Sequence, residues 1–187
     1  MDQDRLRRAV REILLAIGED PDREGLKGTP DRVARMYAEV FAGLREDPHG
    51  HLKTLFTQKY DEMVVVKDIQ FESFCEHHLL PFVGRAHVGY LPNGKVVGLS
   101  KIPRVIDVLS HRPQMQERLT EEVADLLMQE LEARGVGVVM EATHTCMTIR
   151  GVHKADSTLV TSAMRGAFRK KAATRAEFLS LVRGNGA

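Results

Sequence analysis

A chain of 187 residues is long enough for one domain with a real core, and its 27 Lys and Arg against 26 Asp and Glu leave a net charge of +1. That balance excludes a broadly basic surface for coating nucleic acid. No run approaches the roughly 18 apolar residues that span a bilayer, and the charged start Met1, Asp2, Gln3, Asp4, Arg5 is unlike a signal peptide, so a cytoplasmic protein with no membrane partner is expected.

Leu6, Val10, Ile13, Leu14 and Ile17 recur at helical spacing and predict a first amphipathic helix that Gly18 ends. Thr29 then Pro30 predict the N-cap and first position of a second helix, with Val33, Met36, Tyr37, Val40, Phe41 and Leu44 as its buried stripe. Arg32 and Arg35 lie three apart near the positive end of that helix dipole, where either a bound anion or an ordinary solvated face accounts for them. Residues 45–62 read as a polar connection, so the chain divides into an N-terminal helical region, 1–50, and a main domain, 51–187.

The period then changes to that of strands. Met63–Phe74 predicts a strand that delivers Cys75 at its end. Val83–Leu91 predicts a second, Pro92, Asn93 and Gly94 a turn, and Lys95–Leu99 its hairpin partner. Ser100 is placed to cap a helix beginning Lys101, Ile102, Pro103, Arg104, where two cations at a helix N-terminus suggest an oxyanion site. His111, Arg112 and Pro113 break that helix, and a longer one carries Leu119, Val123, Leu126, Leu127 and Leu131 on one face. Gln116 and Glu117 stand near its start, where a glutamate complements the dipole in any case. Val136–Ile149 predicts a long strand bearing His144 and Cys146, and Thr158–Met164 a last one. Thr174 and Glu177 resemble a capping box opening a terminal helix. This order predicts an α+β domain, an antiparallel sheet with a helix pair on one face, preceded by N-terminal helices.

The densest chemistry is Cys75, Glu76, His77, His78. Cys and His three apart can grip one metal ion, and thiolate with imidazole suits zinc. The other cysteine, Cys146, offers a third soft ligand, and water in the fourth position would make a Lewis acid that lowers its pKa to about 7. Two cysteines can also form a disulfide or sit inert in a core, but a reducing compartment and flanking histidines favour ligation. On one strand, His144 and Cys146 would face the same side, leaving His77 and His144 as candidates for proton transfer.

With these residues placed, the chain resembles GTP cyclohydrolase I. The likeness is carried by Cys75 to His78, by Gly98, Leu99, Ser100, Lys101, Ile102, by Arg112 through Leu119, and by His144, Thr145, Cys146, Met147 leading to Arg150 and Gly151. The resemblance implies hydrolytic opening of the guanine ring of GTP, release of C8 as formate and formation of 7,8-dihydroneopterin triphosphate, the first step toward folate and related pterins. It implies the tunnelling fold and a homodecamer of two pentamers, with active sites between subunits. It implies Zn2+ on Cys75, His78 and Cys146, with His77 and His144 catalytic and Glu117 and Gln116 at the guanine. Ser100, Lys101, Arg104 and Arg150, with Arg32 and Arg35 from a neighbouring subunit, would hold the triphosphate. Two alternatives share features of the pattern: an NADPH-dependent nitrile reductase of the same fold, and a non-catalytic protein whose zinc is closed by His77 or His144 as a fourth ligand.

Overall fold

The computed structural model describes residues 1–183. Helices α1 (Gln3–Ala16) and α2 (Thr29–Val40) lead, and Asp2 caps α1 by accepting from the Arg5 amide at 2.9 Å. Val10 and Leu14 of α1 and Ala34 of α2 are buried, while Ile13, Ile17, Met36 and Leu44 stay exposed, so the expected stripes are only partly covered. The N-cap of α2 is Gly28, not Thr29. The Thr29 hydroxyl instead accepts from the Arg32 guanidinium at 2.9 Å, which removes it from capping.

The segment read as a polar connection contains structure. A 3-10 turn, Pro48–Leu52, buries Leu52, and β1 (Leu55–Thr57) follows. Strands β2 (Val64–Cys75) and β3 (Pro81–Leu91) pair antiparallel, with a bulge between Val66 and Ile69. Strand β4 (Lys95–Val97) is not the hairpin partner of β3 but pairs with β1. The reason is that β3 has only two edges, and β2 and β6 (Gly135–His144) occupy both.

Helix α3 (Lys101–Ser110) has Ser100 at its N-cap without a side-chain bond, a two-residue β5 (Pro113–Gln114) runs parallel to the end of β2, and α4 (Gln116–Glu130) follows. The long strand expected through Ile149 stops at His144, and the chain turns into α5 (Thr145–Thr148). Pairing ends there because β3 begins at Pro81, whose carbonyl accepts the Thr145 hydroxyl at 2.6 Å. His144 and Cys146 therefore do not share a strand face. Strand β7 (Leu159–Gly166), α6 (Ala167–Lys170) and α7 (Ala172–Arg183) complete the chain. Helix α7 starts before Thr174, so Thr174 and Glu177 lie inside it and form no capping box. Its first turn is tied down by Arg175, which donates to the carbonyls of Phe168 and Arg169.

The main sheet has the order β5-β2-β3-β6-β7, antiparallel except for β5. Alternate residues Phe82, Ala86, Val88 and Tyr90 of β3, and Val136, Val138 and Met140 of β6, meet Ile102, Val105 and Ile106 of α3 and Leu119, Val123 and Leu127 of α4. Each fully buried aliphatic chain there contributes roughly 1.5–3 kcal/mol. The architecture is the expected antiparallel sheet with a helix pair on one face. On the other face Phe168 and Phe178 pack against Val139. Strands β3 and β6 approach so closely that a Cβ at Gly84 would stand 2.1 Å from the Glu141 carbonyl oxygen. Gly84→Ala is therefore expected to lower stability by about 1–3 kcal/mol. A urea midpoint equal to that of the parent would contradict that packing.

Candidate metal centre and active site

The turn after β2 is built to return on itself. The Cys75 amide donates to the Leu80 carbonyl at 2.9 Å, and the amides of His78 and Leu79 donate back to the Cys75 carbonyl at 3.3 and 2.8 Å. Leu79 takes a left-handed φ of 52° to close it. This places His78 Nδ1 3.9 Å and His77 Nδ1 3.7 Å from Cys75 Sγ. Glu76 faces the other way, its amide donating to the Gln114 carbonyl at 3.1 Å and its carboxylate accepting from both terminal nitrogens of Arg118 at 2.6 and 3.1 Å. The turn is thus pinned to the start of α4.

The bond from Thr145 to Pro81 brings α5 over the same turn. Ligand atoms of Cys75, His78 and Cys146 all lie within 4.8 Å of one another, with Cys75 buried, Cys146 half-buried and His78 exposed. Burial pushes the Cys146 thiol up, and the neighbouring Cys75 adds to the rise against the pull of Arg150. A divalent cation held beside the Cys146 sulfur reverses that penalty. The donor set and spacing fit zinc, whose bonds of about 2.3 Å to sulfur and about 2.0 Å to nitrogen this group can close upon. His77 is outside the group, which leaves three protein ligands among the described residues. Three ligands are the pattern of a catalytic site with an open position, whereas the structural alternative needs a fourth.

His144, the last residue of β6, stands opposite Phe82 in register, and their rings stack at 4.4 Å and 6°. Its Nε2 lies 2.8 Å from Gln116 Oε1. Burial pushes the imidazole down, and Glu117, exposed in the first turn of α4, opposes the shift. The Gln116 side chain is engaged within the protein at both its nitrogen and its oxygen.

Of the predicted phosphate ligands, Arg150 is at the centre, its guanidinium donating to His78 Nε2 at 2.6 Å. Ser100, Lys101 and Arg104 are not: they stand at the start of α3, whereas its last residue, Ser110, accepts from the Ser73 hydroxyl beside the metal turn. Lys101 and Ser110 are the two ends of this 10-residue helix, about 13 Å apart in rise. Arg104 lines a groove with His51, Asp107 and His111. Arg32 donates to the Gly25 carbonyl and Thr29 hydroxyl, and Arg35 is exposed on α2. One chain therefore gathers Cys75, His77, His78, Cys146 and Arg150, with Gln116, Glu117 and His144 at the same end of the sheet.

Sequence reasoning gave no role to Phe82 and Arg118. Phe82 is found only through strand register. Arg118 follows Gln116 and Glu117 directly, and that adjacency is the only signal the sequence offers for it.

The model of a family described as GTP cyclohydrolase I matches residues 6–183. A protein from Rhodopirellula baltica named GTP cyclohydrolase 1 is 61% identical over 178 residues, covering 95% of this chain and 78% of its own. One of the same name from Pelotomaculum thermopropionicum is 60% identical over 184 residues, 98% of each chain. A solved structure of an archaeosine synthase QueF-Like in the apo form overlaps 58% of this chain and 97% of its own, with 16% identity and a TM-score of 0.46.

Proposed function

The chain belongs to the GTP cyclohydrolase I family, and on that premise we propose that it opens the guanine ring of GTP, releasing formate and forming 7,8-dihydroneopterin triphosphate. This is the entry reaction to folate and related pterins, carried out in the cytoplasm; no described helix is long and apolar enough to cross a membrane. The observation that carries the reading is the convergence of Cys75, His78 and Cys146 at the end of the sheet that also holds His144 and Glu117.

C8 of guanine is a poor electrophile, so attack by water needs a better nucleophile and a proton on N7. Zinc, when held by Cys75, His78 and Cys146, supplies the Lewis acidity that makes water nucleophilic at neutral pH. His144 is the group proposed to deliver the proton to N7, since burial keeps its imidazole from holding that proton too firmly. His77, exposed beside Cys75, is the second acid/base, for ring opening or the later ribose rearrangement. Glu117 accepts from N1–H and the 2-amino group, and the Gln116 main chain lies beside it. Arg150 meets the triphosphate from the same chain. Lys101, Arg104, Arg32 and Arg35 complete its neutralisation from neighbouring copies, with Ser100 as a hydrogen-bond donor beside them, which accounts for their lying apart within one chain. This reading requires a homo-oligomer, a decamer of two pentamers.

The test is to compare zinc-loaded and chelator-treated protein with GTP, following formate and, after oxidation, pterin fluorescence. Both products should appear with metal and both should fall on its removal. Turnover indifferent to chelation at confirmed zero metal would overturn the zinc assignment.

A further inference from the structure

Gln116 is the first residue of α4 and is wholly buried, at 0% exposure. Its amide nitrogen lies 3.1 Å from each of three acceptors, the carbonyls of Met140 and Leu159 and the hydroxyl of Thr161. Two of these are main-chain carbonyls, which can only accept. Rotating the amide by half a turn would set its oxygen against both, so β6 and β7 fix which end of the side chain faces which way.

The surrounding hydroxyls leave no freedom either. Thr120 Oγ1 is 2.7 Å from the Gln116 carbonyl and 2.7 Å from Thr161 Oγ1. Thr120 must donate to the carbonyl, so Thr161 donates to Thr120 and accepts from the Gln116 amide. Both hydroxyl protons therefore have one position, and the two amide protons are shared among the three acceptors.

Gln116 Oε1 is thereby turned toward His144 Nε2, 2.8 Å away. An amide oxygen has no proton to give, so the imidazole must be the donor. The stack on Phe82 holds the ring in the plane that this bond requires. We infer that Gln116 is a positioning residue, which holds His144 as its Nε2–H tautomer and leaves Nδ1 as the ring nitrogen that exchanges protons with substrate.

The kinetic consequence rests on His144 being the acid/base of the proposed reaction, but the tautomer does not. Two measurements keep them separate. The first is the 15N spectrum of histidine-labelled, zinc-loaded protein at about pH 8.5, where free imidazoles are neutral. The His144 signals are assigned by their loss in His144→Asn. The expected result is a protonated Nε2 and an unprotonated Nδ1; a protonated Nδ1 overturns the inference whatever the protein catalyses.

The second measurement compares Gln116→Met with Gln116→Glu. The methionine keeps length and burial but offers His144 no comparable acceptor, and kcat should fall about a hundredfold with KM little changed. The glutamate, held protonated by the same buried carbonyls, donates to them through its hydroxyl, keeps its other oxygen facing the ring and should recover a substantial part of kcat. A fall confined to KM would make Gln116 a substrate contact, and an unchanged kcat in Gln116→Met would remove its role; either outcome overturns the inference. Zinc content and melting temperature exclude a general loss of structure, and if Gln116→Met fails to fold, the 15N result still decides the tautomer. If the parent itself shows no turnover of GTP, the functional reading falls while the spectrum still reports on the tautomer.

Discussion

Cys146→Ser is expected to lose bound zinc and GTP turnover together while the fold survives. Cys146 is only half-buried, on the short α5 at the rim of the main core, so its replacement removes little packing. The serine hydroxyl does not ionise near neutral pH and cannot stand in for a thiolate, leaving Cys75 and His78 as two ligands where three are needed to hold a catalytic zinc. The Lewis acidity lost is worth several kcal/mol in the transition state, so turnover should drop at least about a thousandfold. Metal analysis by mass spectrometry, formate release and a urea unfolding curve, read on one preparation, check the three parts. Full activity with no metal would contradict the account, and collapse of the unfolding transition would show that Cys146 serves the core instead.

Glu117→Gln should leave zinc in place and lower kcat/KM for GTP by up to about 10⁴, because a site built to pair two donors is left with a mismatched one. A carboxylate accepts from both N1–H and the 2-amino group of guanine, whereas an amide sets its own NH2 against one of them. The position suits the role: Glu117 is exposed in the first turn of α4, and its field reaches His144. Steady-state kinetics with zinc content measured alongside will check this, and unchanged GTP kinetics would take Glu117 out of the guanine site.

Helix and strand periods placed most elements because the core they build is one contiguous layer. The repeat of Leu119, Val123 and Leu127 marked the buried face of α4, and the valine-rich run before Cys75 marked β2. What periodicity missed was pairing. Nothing local in Lys95–Val97 says that both edges of β3 are already taken, so the near turn at Asn93 and Gly94 suggested a hairpin that does not exist. The end of β6 was missed for a related reason: His144, Thr145 and Cys146 suit a strand, and only the start of β3 at Pro81 ends the ladder.

The metal group was legible because its chemistry is scarce. A chain with two cysteines has few ways to build a thiolate site, and the spacing of Cys75 and His78 left Cys146 as the remaining soft ligand. His144 and Cys146 do not share a strand face, yet both lie at the same end of the sheet, one on a strand end and one on the helix turn after it. The Gln116 side chain could not be read in advance, since its partners Met140, Leu159 and Thr161 come from two later strands. The cations at the start of α3 and on α2 illustrate a different limit. Their spacing suits an anion site and, on α2, an ordinary solvated face equally well, and nothing within one chain distinguishes the two.

The most direct test of the central claim is to give zinc-loaded protein GTP labelled with 13C at C8 and follow the label by NMR. The account predicts that the C8 resonance disappears and the label emerges as formate, in a ratio of about one formate per fluorescent pterin formed after oxidation. Label that stays in an intact purine, with zinc confirmed on the protein, would contradict it.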